Sequence, residues 1–237
     1  MSQKIPRRIF LALSGGALVS PKLSSGEVDP PAMLDHILLG CNDLDRGIAY
    51  VEERTGVRAA FGGVHPGRGT RNALLSLGER HYLEIIAPDP QQVGAADTRN
   101  LEELLEPRLV GWAAHPGDIN QFAAHLRSGG IDFEGPTPGS RKRPDGRLLQ
   151  WKTLNLKNND QGMLPFFIEW SAGTIHPSTD APFGCKIERF TISYHNEVKL
   201  QSLCSLLNLD VQVEHAEKSQ LYARISGLDG HGMQLNS

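Results

Sequence analysis

The chain has 237 residues, a formal net charge of −3 and 39% hydrophobic residues. That length holds one large domain or two small ones with enough apolar content for a core, and the charge excludes a general attraction to nucleic acid. The three cysteines, Cys41, Cys185 and Cys204, are odd in number and lack metal-type spacing; they read as small buried residues rather than a disulfide framework. No apolar run approaches the roughly 18 residues of a membrane span.

Residues 1–32 differ from the rest. Pro6-Arg7-Arg8-Ile9-Phe10-Leu11 carries both arginines, the phenylalanine and the leucine of a twin-arginine export motif, and a modest apolar segment to Val19 follows, softened by Gly15 and Gly16. The motif implies export by the twin-arginine route; the alternative is a plain N-terminal extension on a cytoplasmic protein. Folding arguments start at Met33 in either case, which makes 33–237 the expected folded part.

The stretch from Leu34 to Pro90 reads strand, helix, Gly-rich turn, strand, strand. The first apolar strand carries His36. A helix is expected from Asp43 to Thr55, with Asp43 as N-cap and Gly56 just past its end. Leu44, Ile48 and Val51 recur at spacings of four and three and form one buried stripe. The last strand, Tyr82-Leu83-Glu84-Ile85-Ile86, places a carboxylate in an apolar run, which is costly unless the group is paired, hydrogen-bonded or metal-bound. The Gly63–Thr70 turn carries His65 and Arg68, with Asn72 at the start of the next strand.

The same order recurs. From Leu109 to Trp170 the pattern gives a strand at Val110–Ala114 and a helix from Asp118 to Ser128 closed by Gly129-Gly130. A turn-rich loop at Gly135–Gly146 then leads to strands Leu148–Leu156 and Leu164–Trp170. A third, shorter copy spans Lys186 to Leu235. One unit alone leaves half its sheet exposed, so units must pair. The expected fold is therefore α+β, built of βαβββ units at 34–88, 109–171 and 186–237, two forming a cup with the third packed alongside; a homodimer completing the cup is the alternative pairing.

This order, together with LDHILLGCNDLDRG, GVHPGRGTRNALLSLG and YLEIIAPDP, resembles the vicinal oxygen chelate superfamily, and more specifically its glyoxalase-like domain proteins. The resemblance implies metal ligands on the first and last strands of the paired units. Those positions hold His36, Glu84 and, in Phe167-Ile168-Glu169-Trp170, Glu169; the fourth falls near Gly111 or Trp112, which cannot ligate, and His65 stands ready to compensate. It further implies a divalent ion (Zn, Ni, Mn, Co and Fe are not distinguished) that chelates the oxygens of a small substrate, with isomerase, lyase or dioxygenase chemistry. His65, Arg68, Asn72, Arg141 and Arg143 are the expected substrate contacts, the two arginines of the second unit as anion holders. The missing fourth ligand favours a metal-free binding or sequestering protein as the alternative. Glu84 and Glu169 as merely buried polar contacts, and Arg141 and Arg143 as a solvated hairpin tip, are the bland readings.

Overall fold

The computed structural model describes residues 30–92, 100–160 and 162–237; the Arg7-Arg8 motif lies outside them. Twelve strands and four helices follow one another among the described residues. The first group is β1 (Leu34–Gly40), α1 (Leu44–Thr55), β2 (Ala60–His65), β3 (Thr70–Ser76) and β4 (Tyr82–Pro88). The second is β5 (Arg108–Ala114), α2 (Ile119–Ser128), β6 (Phe133–Lys142), β7 (Leu148–Leu156) and β8 (Phe166–Trp170). After the short α3 (Pro177–Asp180) come β9 (Lys186–Tyr194), α4 (Glu197–Leu206), β10 (Gln212–His215), β11 (Gln220–Ser226) and β12 (Gly232–Asn236).

Local chemistry explains the helix limits. Asp43 accepts from the Arg46 N–H at 2.9 Å and Gly56 closes α1 at φ 73°, a left-handed conformation that favours glycine. Asp118 caps α2 by accepting from the N–H groups of Asn120 and Gln121 at 2.8 and 3.0 Å. No helix of the described residues is long and apolar enough to cross a membrane.

Strands β1 to β8 form one sheet in the order β2-β3-β4-β1-β5-β8-β7-β6. Each group of four is arranged alike, with its first strand parallel to its last, and the two groups join through the antiparallel pair β1–β5. The α+β architecture of repeated βαβββ units is thus present. The third copy keeps the element order, but its sheet runs β10-β9-β11-β12, so its first strand lies between the second and third rather than beside the last.

Strand alternation divides the large sheet into two faces. Ile37, Leu39, Leu75, Leu83, Ile85, Trp112, Leu154 and Phe167 point to one side and join the main core with α1, α2 and the four-stranded sheet. The other face curls into a cup. The run 135–146, expected as a loop, is largely strand: β6 pairs with β7 from Phe133 to Lys142, with a register shift between Glu134 and Thr137. Its prolines are tolerated because β6 is an edge strand, where a missing N–H breaks no interior ladder.

Trp112 and Phe190 tie the two sheets together, with ring centroids 5.1 Å apart and both side chains fully buried. Replacing Phe190 with Ala should cost about 3–5 kcal/mol in urea unfolding, the range for a large core aromatic. A loss below about 1 kcal/mol would show that this pair does not couple the sheets.

Candidate functional site

The cup is lined from β1 by His36 and Leu38, from β2 by His65, from β3 by Thr70 and Asn72, and from β4 by Tyr82, Glu84 and Ile86. Arg68 lines it from the turn before β3. The second group contributes Arg141 from β6, Trp151, Thr153 and Asn155 from β7, and Phe166, Ile168 and Trp170 from β8.

Behind the cup wall, against His36, lies Asp35, which sequence reasoning passed over. Opposite β5, two residues of β1 advance where one residue of β5 does, between Leu34 and His36, which makes Asp35 the extra residue of a bulge. A bulge re-aims side chains, and here it puts Asp35 and His36, neighbours in sequence, into one polar cluster. Asp35 has no solvent exposure and is held by three donors: His36 Nδ1 at 2.7 Å, Trp170 Nε1 at 3.1 Å and His176 Nε2 at 3.2 Å. His176 Nδ1 accepts from the Ser178 N–H, which leaves Nε2 to carry the hydrogen given to Asp35.

His36 turns its other nitrogen toward Glu84. Nε2 lies 3.3 Å from Glu84 Oε2, an ion-pair distance, yet it makes no well-directed hydrogen bond and is buried. Glu84 Oε1 accepts from the Asn72 amide at 2.7 Å and sits 3.6 Å from His65 Nε2. His65 is set in place by Thr70 Oγ1, 2.9 Å from its Nδ1. Asn72 in turn accepts from Arg141 Nη1 at 2.6 Å. A string Asp35–His36–Glu84–Asn72–Arg141 therefore crosses the cup.

The string is electrostatically coupled. Burial opposes the charge on His36, but the carboxylates of Asp35 and Glu84 on either side outweigh it and raise the imidazole to about 9. Burial likewise pushes Glu84 up, and the close contact with His36, helped by His65 and the Asn72 amide, overcomes it, holding the carboxyl well below the usual range. Asp35 is lowered in the same way by His176 and His36 against its own burial.

The sequence-derived candidates separate into two groups. His36, Glu84, His65, Arg68, Asn72 and Arg141 all line the cup. Glu169 does not. On β8 the cup-facing residues are Phe166, Ile168 and Trp170, so Glu169 points the opposite way, where Oε2 accepts from the Ile119 N–H at 2.7 Å and supports the start of α2. The expected ligand set His36–Glu84–Glu169 is corrected accordingly, because a carboxylate on the other face of the strand cannot reach the cup. Arg143 also leaves the set: it pairs with Asp180 at 2.6 Å, beside Arg147 at 2.8 Å from the same carboxyl group, and so clamps the β6–β7 turn to α3. His36 and His65 approach Glu84 on separate oxygens, and among the described residues no group of three His, Cys, Asp or Glu side chains is arranged to hold a metal ion. The metal centre implied by the resemblance is not assembled in this arrangement.

Gly62, on β2, is a further residue the site requires. A Cβ there would stand 2.5 Å from Asn72 Oδ1 and 2.8 Å from Arg141 Nη1, so only glycine lets the β2 backbone close over the Asn72–Arg141 pair.

A curled sheet of two paired βαβββ groups around a polar cup is a glyoxalase-type fold. The family model described as glyoxalase-like domain matches residues 34–207, and the chain belongs to that family. Among solved structures, a hypothetical protein from Staphylococcus aureus is similar with a TM-score of 0.61 and 20% identity, over 85% of this chain and 84% of that one. A methylmalonyl-CoA epimerase from Streptomyces coelicolor, in complex with 2-nitronate-propionyl-CoA, is similar with a TM-score of 0.45 and 22% identity, over 62% of this chain and 99% of its own. The methylmalonyl-CoA epimerase from Mycobacterium tuberculosis gives 0.42 and 20%, over 59% and 87%. At these identities the likeness is one of fold. No curated protein matches the chain.

The coupling has a pH signature. Because His36 is raised from 6.5 to about 9 on folding, its stabilising contribution is full below pH 6.5 and is lost as pH rises through about 9. Denaturant unfolding should therefore show stability declining between those values. A flat profile over that window would contradict a charged His36 in the folded protein.

Proposed function

We propose that the cup is the reaction site of an enzyme that moves a proton on a small oxygenated molecule, an isomerase or lyase type of chemistry. The observation that supports this reading is the buried pair His36–Glu84 at the cavity wall, with His36 fixed from behind by Asp35. His36 Nε2 carries a hydrogen that is poorly used by Glu84, so a substrate carbonyl oxygen can take it. Once His36 turns to that oxygen, Glu84 loses the partner that suppresses its basicity, and burial acts to raise its affinity for a proton. Glu84 then accepts a hydrogen from the carbon next to the carbonyl. The electrons of the broken C–H bond move to the oxygen held by His36, and return of the proton at another position completes an isomerisation.

One feature favours a second reading, in which a divalent ion also enters the cup. His36 Nε2 is buried without a hydrogen-bond partner while a carboxylate fixes Nδ1, the arrangement common for metal-bound imidazoles. His36, His65 and Glu84 are the nearest candidate donors; they are not set as a three-ligand group here and would have to move together to hold the ion, which would polarise the substrate oxygen. Metal analysis of the purified protein, with His36→Ala as control, separates the readings. A protein that holds a ligand, exchanges no hydrogen and retains no metal would instead be a sequestering protein on the same fold.

The primary reading is tested in D2O with a panel of small aldehydes, ketones and 2-hydroxy and 2-oxo acids, by following exchange of the hydrogens next to the carbonyl. The expected result is catalysed exchange in at least one compound, reduced about 10²-fold or more in Glu84→Gln. No exchange across the panel, or equal rates in the variant, would contradict it.

A further inference from the structure

Arg141 is a buried cation that meets its nearest carboxylate, Glu84, only through a bridging amide. The residue is buried, with only 5% of its surface exposed. Among the described residues its guanidinium forms no ion pair; Nη1 donates to Asn72, and Nε is buried with no hydrogen-bond partner. Burying an unpaired guanidinium is costly, and a carboxylate, Glu84, stands nearby. Asn72 keeps the two apart. Its amide oxygen takes Arg141 and its amide nitrogen takes Glu84, so the two charges face each other only through the amide, and the guanidinium keeps donors that no protein acceptor uses. Gly62 holds that arrangement by letting the β2 backbone lie directly against both groups.

Beside these polar groups, one part of the wall is flat and apolar. Trp151 and Trp170 meet edge to face at 5.6 Å, Phe166 meets the His36 ring at 5.5 Å, and the His36 ring stacks on Tyr82 at 4.4 Å. Leu38, Ile86 and Ile168 add further apolar surface to the cup. A guanidinium presents a planar fork that matches a carboxylate, and aromatic walls favour a ring or conjugated chain laid against them. Arg68 also lines the cup but is not without a partner; with Glu84 close by, the Arg141 guanidinium suits a single negative charge better than a phosphate dianion.

We infer that the cup takes a small monoanionic carboxylic acid with a flat aromatic or conjugated body, its carboxylate on Arg141 and its plane against Trp151, Phe166 and Trp170. This places the acid group at the Asn72 end of the string and leaves the body of the molecule facing His36 and Glu84. The inference rests on the cup being the reaction site, but its test does not depend on turnover.

The test is a titration of the full chain with benzoate, benzamide, propionate and inorganic phosphate, followed by tryptophan fluorescence and calorimetry. Benzoate should saturate the site, with each of the other three binding at least tenfold more weakly. Arg141→Gln should weaken benzoate at least tenfold and leave benzamide unchanged. Equal binding of benzamide would remove the anion requirement, equal propionate would remove the flat body, and equal phosphate would make the site a general anion site; each overturns the inference. The comparison of ligands in the unaltered protein stands by itself if the Arg141 variant does not fold. Hydrogen exchange in neutral ketones without benzoate binding would overturn this inference alone. Benzoate binding, retained in Glu84→Gln, with no exchange in any compound would overturn the proposed reaction alone.

Discussion

A carboxylate with no exposure to water, Asp35, is the group on which the rest of the cup depends. Left unpaired, such a charge would destabilise the fold by several kcal/mol. Its three donors come from β1, β8 and the segment leading into α3, so satisfying it draws together both halves of the large sheet and the chain that leaves them. The same requirement orients His36. With Nδ1 taken by Asp35, only Nε2 is left to face the cavity, and Glu84 becomes its counter-charge.

From there the polar groups form a series of alternating donors and acceptors rather than a set of ion pairs. Asn72 separates Glu84 from Arg141, and Thr70 orients His65 toward the same carboxylate. Such a network is strong when complete and weak when broken, because each buried polar atom lacks water as a substitute. The atoms it leaves without hydrogen-bond partners are informative for that reason: His36 Nε2 and Arg141 Nε both belong to residues that line the cup. A ligand of the kind proposed, with an oxygen at one point and a negative charge at another, would complete the network at these two atoms.

Much of this was legible in the sequence, and the failures have identifiable causes. The apolar runs of Leu34–Gly40 and Tyr82–Pro88 and the capped helices were strong enough to reveal the repeated unit, and His36 and Glu84 stood out as polar residues within those runs. Glu169 stood out in the same way, but a strand's faces alternate, and a phase error of one residue moves a side chain to the opposite face. Nothing local to Phe167-Ile168-Glu169-Trp170 shows that its phase differs from that of Tyr82-Leu83-Glu84-Ile85. β6 was hidden because its prolines and glycines look like a loop, and only its place at the edge of the sheet permits them. Asp35 was missed because a regular strand would have turned it away from His36; the bulge that unites them is set by pairing with β5, which is distant in sequence.

An imidazolium at His36, standing between two ionised carboxylates, is directly measurable by ring nitrogen NMR on selectively labelled histidine. Both nitrogens of His36 should carry hydrogen at neutral pH, and the signal should titrate near 9. A neutral ring at neutral pH, with a single protonated nitrogen and titration near or below 6.5, would contradict it.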